Sequence, residues 1–307
     1  MHFTHAPDLT GATAFMTTHA RLLDRRRFEL LRGTGTPAAV VTALDAYRNG
    51  DGGYGYALEP DLRSALSQPV GALFAFEVFE ECGPAVFSRT TQLCDWLDSI
   101  SLPDGGLPFA LPMTGADAAG SAPFWAGADP DVSSLHMTSE LAAAAHRVGL
   151  HDPAVRDHPW LARATGFCQE RIAGLDRPPP AVEFRFVLDL LDTLHPGRPW
   201  APAELERLAG FLPRDGSPLP VEGGGEGETL RLLDFSPRPG RPLRALLDPA
   251  VVADELDQLA ADQREDGGWG VDWTAHSPAA ALEWRGYATV RALTILRAHG
   301  VPLAHER

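Results

Sequence analysis

The chain is poor in cysteine, short of positive charge and without a long apolar run. Cys82, Cys94 and Cys168 are the only three cysteines in 307 residues, and none belongs to a CxxC pair. So sparse and odd a count fits a reducing compartment and excludes a disulfide framework; small buried thiols are expected. Arg and Lys together number 26 against 41 Asp and Glu, a formal charge of -15. That balance argues against a nucleic-acid-binding face, whose affinity rests on neutralising phosphates, but leaves room for a local basic pocket. No stretch approaches the roughly 18 apolar residues of a membrane span. Met1 to Thr10 lacks the basic and apolar blocks of a secretory leader, so a cytoplasmic protein is expected. The P-loop, the GxSxG elbow and HExxH are also missing. No segment alternates with the two-residue period of a strand.

What is present is a repeat. Asp51-Gly52-Gly53-Tyr54, Asp104-Gly105-Gly106-Leu107 and Asp266-Gly267-Gly268-Trp269 share one pattern, and Asp215-Gly216-Ser217 is a weaker copy. The intervals are 53, 111 and 51 residues. The long interval is about twice the others, which implies a decayed copy, with Asp176 to Pro180 as its remnant. A period near 50 residues holds two helices and their connections. The glycines permit the positive φ of an abrupt helix stop, the aspartate can bond amides of its own turn, and the aromatic residue packs between helices.

Helix candidates fall into two classes. Val70–Phe76, Leu141–Ala145 and Ala288–Leu296 are apolar nearly all round, as buried helices are. Val86, Thr90, Leu93, Leu97 and Ile100 form a single stripe, as do Trp160, Ala164, Phe167, Cys168 and Ile172. Alternation of the two classes implies an inner and an outer ring. Thr36-Pro37, Asp152-Pro153, Ala201-Pro202, Asp248-Pro249 and Ser277-Pro278 read as helix starts with proline in the first turn. The expected fold is all-α, an (α/α)6 toroid of about eleven or twelve helices in one domain spanning 1–307. The stretch at about 213–248, with Gly223-Gly224-Gly225 and several prolines, reads as a long loop or lid holding a short helix.

The residues Gln263-Arg264-Glu265-Asp266-Gly267-Gly268-Trp269 resemble the QxxxGxW core of the repeat in squalene-hopene and oxidosqualene cyclases. The Asp51 and Asp104 turns look like degenerate copies. The Asp51–Tyr54, Ala57–Arg63 and Glu283–Gly286 segments are also similar to single-domain bacterial proteins of the prenyltransferase and squalene oxidase repeat group. This resemblance implies the same toroid. It further implies an enzyme that transforms an isoprenoid in a central aromatic cavity by acid initiation. A fold hosts many chemistries, so the function has to be sought in a site.

In a toroid the starts of the inner helices surround one mouth, and these starts are acidic. They hold Glu59 and Asp61 before Arg63, Asp129 and Asp131 before His136, Glu183 beside Arg185, and Glu283 beside Trp284 and Arg285; the long loop adds Glu226 and Glu228. Asp129-Pro130-Asp131 resembles part of the DxDD motif of class II cyclases, which would make Asp131 the proton donor. Here Val132 replaces the last aspartate, and either acid can equally cap the next helix. Glu59 and Asp61 read as acids or as a cap with an ion pair to Arg63. Glu283 and Arg285 sit on different faces of an apolar helix and need different partners, structural or cavity-facing. Substrate contacts are expected from Tyr54, Tyr56, Phe124, Trp125, His136, Phe184, Arg185, Trp273, Trp284 and Arg285, aromatic faces being suited to cations. Phe109, Phe186, Trp269 and Tyr287 lie nearby in sequence. No metal ligand set is expected, and magnesium enters only with a diphosphate substrate. A small isoprenoid-like molecule is the expected partner. Two other readings stand beside this one: a carbohydrate-active enzyme with paired carboxylates, and a non-catalytic module that binds a hydrophobic ligand or partner segment.

Overall fold

The computed structural model describes residues 4–85, 87–225 and 227–301; Val86 and Glu226 lie outside them. Helices come in pairs, outer then inner. The first pair is α1 (Leu9–His19) and α2 (Leu22–Leu31), the second α3 (Pro37–Leu44) and α4 (Pro69–Glu81). The third joins α5 (Ser88–Ile100) to α8 (Leu135–Val148) through two short helices, α6 (Gly115–Ala119) and α7 (Pro123–Ala126). After the single turn α9 (Pro153–Arg156) come α10 (Pro159–Ala173) with α11 (Ala181–Leu194), and α12 (Ala201–Ala209) with the one-turn α13 (Leu232–Phe235). The last pair is α14 (Pro249–Ala261) and α15 (Pro278–Ala298). The protein is an all-α toroid, its inner ring running α2, α4, α8, α11, α13, α15 and back to α2.

The two helix classes occupy the two rings. On α4 every residue from Val70 to Phe76 is buried, and Leu141–Ala145 of α8 is fully buried. The stripes on α5 and α10 face inward, with Thr90, Leu93, Leu97 and then Trp160, Ala164, Phe167, Cys168 and Ile172 buried. Thr36, Asp152, Asp248 and Ser277 cap helices whose first residue is proline. At α12 the helix starts one residue earlier than the Ala201-Pro202 reading, with Trp200 at the cap position. Two minimal antiparallel ladders escape an alternation criterion because each strand has two residues: β1 (Leu107–Pro108) with β2 (Ser133–Ser134), and β3 (Leu219–Pro220) with β4 (Thr229–Leu230). The segment at 213–248 holds the β3–β4 hairpin, α13 and a 3-10 turn at Leu243–Leu246.

The Asp-Gly turns form a geometric repeat. In all four the aspartate carboxylate accepts the amide two residues on: Gly53, Gly106, Ser217 and Gly268, at 2.9 to 3.2 Å. The first glycine always has positive φ, between 74° and 96°. The Asp176–Pro180 remnant occupies the equivalent connection, between α10 and α11. Each turn docks on the next outer helix. A methyl group on Gly52 would lie 2.9 Å from the Gln92 carbonyl of α5, and one on Gly105 3.0 Å from the Arg163 carbonyl of α10. At Gly267 it would fall on the backbone of Gly11 in α1. That last contact closes the ring. Gln263 reinforces it: its side chain accepts the Asp8 amide (2.6 Å) and donates to the Asp8 carbonyl (2.8 Å). Trp269 packs into the same corner and donates to the Leu259 carbonyl.

Gly267→Ala is therefore expected to destabilise strongly, by ~3 kcal/mol or more, because a left-handed φ penalty of about 1 kcal/mol adds to a backbone clash that cannot relax. Gly33→Ala, at φ 74° with nothing within 4 Å, should cost only ~1 kcal/mol. Urea unfolding of the two variants checks the difference; similar losses would contradict the close approach.

Candidate functional site

The mouth formed by the inner-helix starts gathers several of the expected residues into one staple. The Asp61 carboxylate accepts the His276 amide and the Trp284 indole N–H, both at 2.7 Å. Arg63 pairs with Glu283 at 2.7 Å. The α3–α4 connection is thus tied to α15 across 220 residues of sequence. Glu59 is buried; burial first, then the charge of Asp61, pushes its carboxyl well above the usual range, and its Oε2 has no hydrogen-bond partner. Arg285 turns the opposite way from Glu283. It bonds Asp266 (2.6 Å) and the Trp269 carbonyl and lies over the Phe15 ring, so it braces the repeat turn at the outside of the ring.

The Asp129-Pro130-Asp131 segment lies away from this staple. Both aspartates are exposed, Asp129 accepts the Asp131 amide at 2.9 Å, and Ser134 is the residue that caps α8. Tyr54 is fully buried behind α4, and Tyr56 is 53% exposed. Phe184 is buried against Phe235. Glu183 accepts the His136 amide, linking the starts of α11 and α8. Glu228 stays within its own loop, accepting the Gly225 amide.

Two aromatic groups gather at the inner helices. One consists of Phe74, Trp273, Trp284 and Tyr287, with Trp273 edge-on to Trp284 at 5.0 Å. The other runs from exposed Phe124 through buried Trp125 to Phe109, His136 and Phe186. Below them the ring interior carries charge. Arg27 pairs with Glu81 (2.6 Å), Arg147 with Glu80 and Asp189 (2.8 Å each), and Arg291 with Asp234 (3.0 Å). Arg238, from the long connection, joins Glu80 and Asp189 at 3.2 Å. Burial alone would raise the Asp189 carboxyl, but Arg147 and Arg238 outweigh it and hold it below the usual range. These acids keep 20 to 28% of their side-chain surface accessible although they sit on inner helices. The chain contains no lysine. Every basic residue is an arginine, whose planar fork suits such shared pairs and whose pKa rules out Schiff-base chemistry.

Two proton-bearing groups stand apart from this ion-pair lattice. Glu140 on α8 is 7% exposed, and no protein group donates a hydrogen bond to it among the described residues. Burial pushes its carboxyl well above the usual range, against the pull of Arg185. One helical turn away, His136 places Nε2 3.6 Å from the Glu140 carboxylate oxygen. Burial, aided by Arg185, lowers the imidazole to about 3. Burial thus disfavours the charged form of both groups, an acid beside an imidazole against an aromatic wall. Glu77 on α4 is raised likewise by burial, which outweighs Arg27; the Tyr287 hydroxyl donates to its Oε1 at 3.0 Å.

Sequence reading passed over Glu77 and Glu140. The signal is present: each is an acid set within an apolar run of an inner helix, the same anomaly as Glu283. The three cysteines are buried in helix packing, and burial pushes each thiol up to about 12. Among the described residues no three His, Cys, Asp or Glu side chains converge as a metal site would require.

The two shifted groups shape stability in opposite directions. The folded-state pKa of His136 is depressed, so the unfolded chain takes up the proton first and stability falls as pH drops from about 6.5 toward 3. Glu140 is raised, so its contribution is complete below the ordinary carboxylate range and is lost as pH rises through the folded-state value. His136→Gln should flatten the acid-side slope and Glu140→Gln the slope above it. Urea midpoints measured across pH read both; unchanged slopes would show that the groups are charged in the native state.

No family model matches the sequence, nor does any curated protein. Among solved structures, a type II terpene cyclase from Scytonema, in complex with its substrate geranylgeranyl dihydroxybenzoate, aligns over 90% of this chain and 88% of its own, with a TM-score of 0.50 and 13% identity. A glycosidase, also solved with glucose, aligns over 91% of this chain and 98% of its own, with a TM-score of 0.41 and 15% identity. The cyclase likeness supports the toroid fold, and at such identity it speaks to the fold alone.

Proposed function

We propose that the chain is a terpene-cyclase-like enzyme that protonates an isoprenoid in its central lumen, with Glu140 as the acid. The observation that carries this reading is a carboxyl whose proton affinity burial raises, lacking a protein donor among the described residues and facing His136 beside Phe186 and Phe109. A carboxylic acid protonates an alkene only if it keeps its proton at working pH, and burial shifts Glu140 in that direction. The alkene π pair takes the Glu140 proton, leaving a carboxylate and a carbocation on the more substituted carbon. The faces of Phe186, Phe109 and Trp125 favour that cation through their quadrupoles. Loss of a proton from a neighbouring carbon, to the carboxylate or to neutral His136, ends the reaction. Asp131, the acid suggested by motif resemblance, is solvent-exposed and apart from this cluster.

A second reading, glycoside hydrolysis, draws on one observation: Glu77 and Glu140 lie on adjacent inner helices, and the charge of Glu77 adds to the proton affinity of Glu140. Two carboxyl groups flanking a bond are the arrangement such enzymes use.

Incubation with geranyl, farnesyl and geranylgeranyl diphosphate, with and without magnesium, followed by mass analysis of products, tests the primary reading. Product formation should fall about 10²–10⁴-fold in Glu140→Gln, the usual contribution of a positioned acid, and stay unchanged in Asp131→Asn. It should also decline as pH rises through the Glu140 pKa. Absence of turnover on all three, together with hydrolysis of aryl glycosides that depends on both Glu77 and Glu140, would transfer the assignment to the second reading.

A further inference from the structure

The lumen holds one arginine whose surroundings differ from the rest. Arg27, Arg147, Arg238 and Arg291 each have a carboxylate within 3.2 Å. Arg185, on the first turns of α11, has no carboxylate within ion-pair distance and makes no hydrogen bond among the described residues. Its one close contact is stacking, with the guanidinium carbon 4.2 Å from the Phe186 ring centroid. The acids nearest to it in the ring are already engaged: Asp189 by Arg147 and Arg238, Asp234 by Arg291. No protein acceptor among the described residues takes its five N–H donors, whose planar fork matches a carboxylate or phosphate.

Phe186 is also the inner end of an aromatic ladder. Its ring lies 4.8 Å from His136, His136 is 5.3 Å from Phe109, and Phe109 stacks on Trp125 at 4.8 Å with planes 13° apart. Trp125 meets Phe124 at 5.0 Å. Phe124 is 59% exposed, so the ladder leads from solvent to Arg185. Four separate elements build it: α11, α8, the strand end after β1, and α7. Packing of a single helix pair would not produce such a line.

The geometry points to Arg185 as the receptor for an anionic head group, with the hydrocarbon part of the same ligand lying along the ladder toward Phe124. The ligand class is a prenyl chain ending in a carboxylate or phosphate, bound with the charged end innermost. This rests on the proposed lumen site and adds its substrate class and orientation. Because Glu140 and Arg185 share the inner end, protonation is expected on the head-group side of the chain.

Equilibrium binding of farnesyl monophosphate, farnesoic acid and farnesol, followed by tryptophan fluorescence and calorimetry, tests the assignment. Both anions should bind the parent protein at least about tenfold tighter than the alcohol, a difference ordinary for one charge-assisted pair. A preference for only one anion identifies the head group as phosphate or carboxylate. Arg185→Gln should abolish the preference and leave farnesol affinity unchanged, and Arg185→Lys should keep part of it. Equal affinity for anion and alcohol in the parent overturns the assignment. So does a preference that survives Arg185→Gln, or a variant that loses farnesol as strongly as the anions, since that marks a structural role. Should Arg185→Gln fail to fold, the parent decides: the preference must shrink as salt rises, and a salt-independent preference overturns the assignment. Failure here is distinct from failure of the catalytic reading. An anion preference without turnover sinks the acid assignment to Glu140, whereas turnover of a neutral isoprenoid without anion preference sinks only Arg185.

Discussion

Glycine at the first position of each Asp-Gly turn lets the backbone of that turn touch the next outer helix, and the larger structure depends on this contact. A side chain at Gly52, Gly105 or Gly267 would push the neighbouring outer helix away. With glycine there, the turn spans from one helix pair to the next at a fixed short distance. The aspartate locks the conformation through the amide two residues on, and a second donor from further along the chain holds the carboxylate: Ser67, Ser133 and Arg285 in three of the copies. Repetition of one contact sets the pitch of the ring, and the Gly267–Gly11 approach brings its two ends together.

Closure of the ring changes the chemistry of what lies inside. Six inner helices facing one another remove charged side chains from bulk water, and each must find a partner or give up its charge. Most find partners, as in the lattice of Arg147, Arg238, Glu80 and Asp189. Glu140 and His136 do not, and burial disfavours the charged form of each. Arg185 cannot lose its proton and stacks on an aromatic ring instead. These departures from full pairing are what separate a reactive lumen from a packed core, so the proposed chemistry rests on them.

Elements with local signals were legible in the chain. The turn motif, the period near 50 residues, the proline-marked helix starts and the two classes of helix each depend on neighbours within a few residues, and together they led to the toroid. The opposed directions of Glu283 and Arg285 were legible for the same reason, since helical geometry alone puts them on different faces. The proposed acid was not. Asp131 belongs to a motif fragment, and its exposure depends on how the α5–α8 connection sits on the ring. Glu140 belongs to no motif, and its proton affinity arises from atoms contributed by other helices.

By itself, then, the sequence determined the repeat, the ring and the acidic character of the inner-helix starts, because backbone conformation and amphipathic period are local properties. Only the tertiary structure decided which charges are cancelled and which are left over. That outcome depends on distances between residues as far apart as Asp61 and Trp284 or Glu80 and Arg238. Desolvation is a property of the assembled ring, and no single helix carries it.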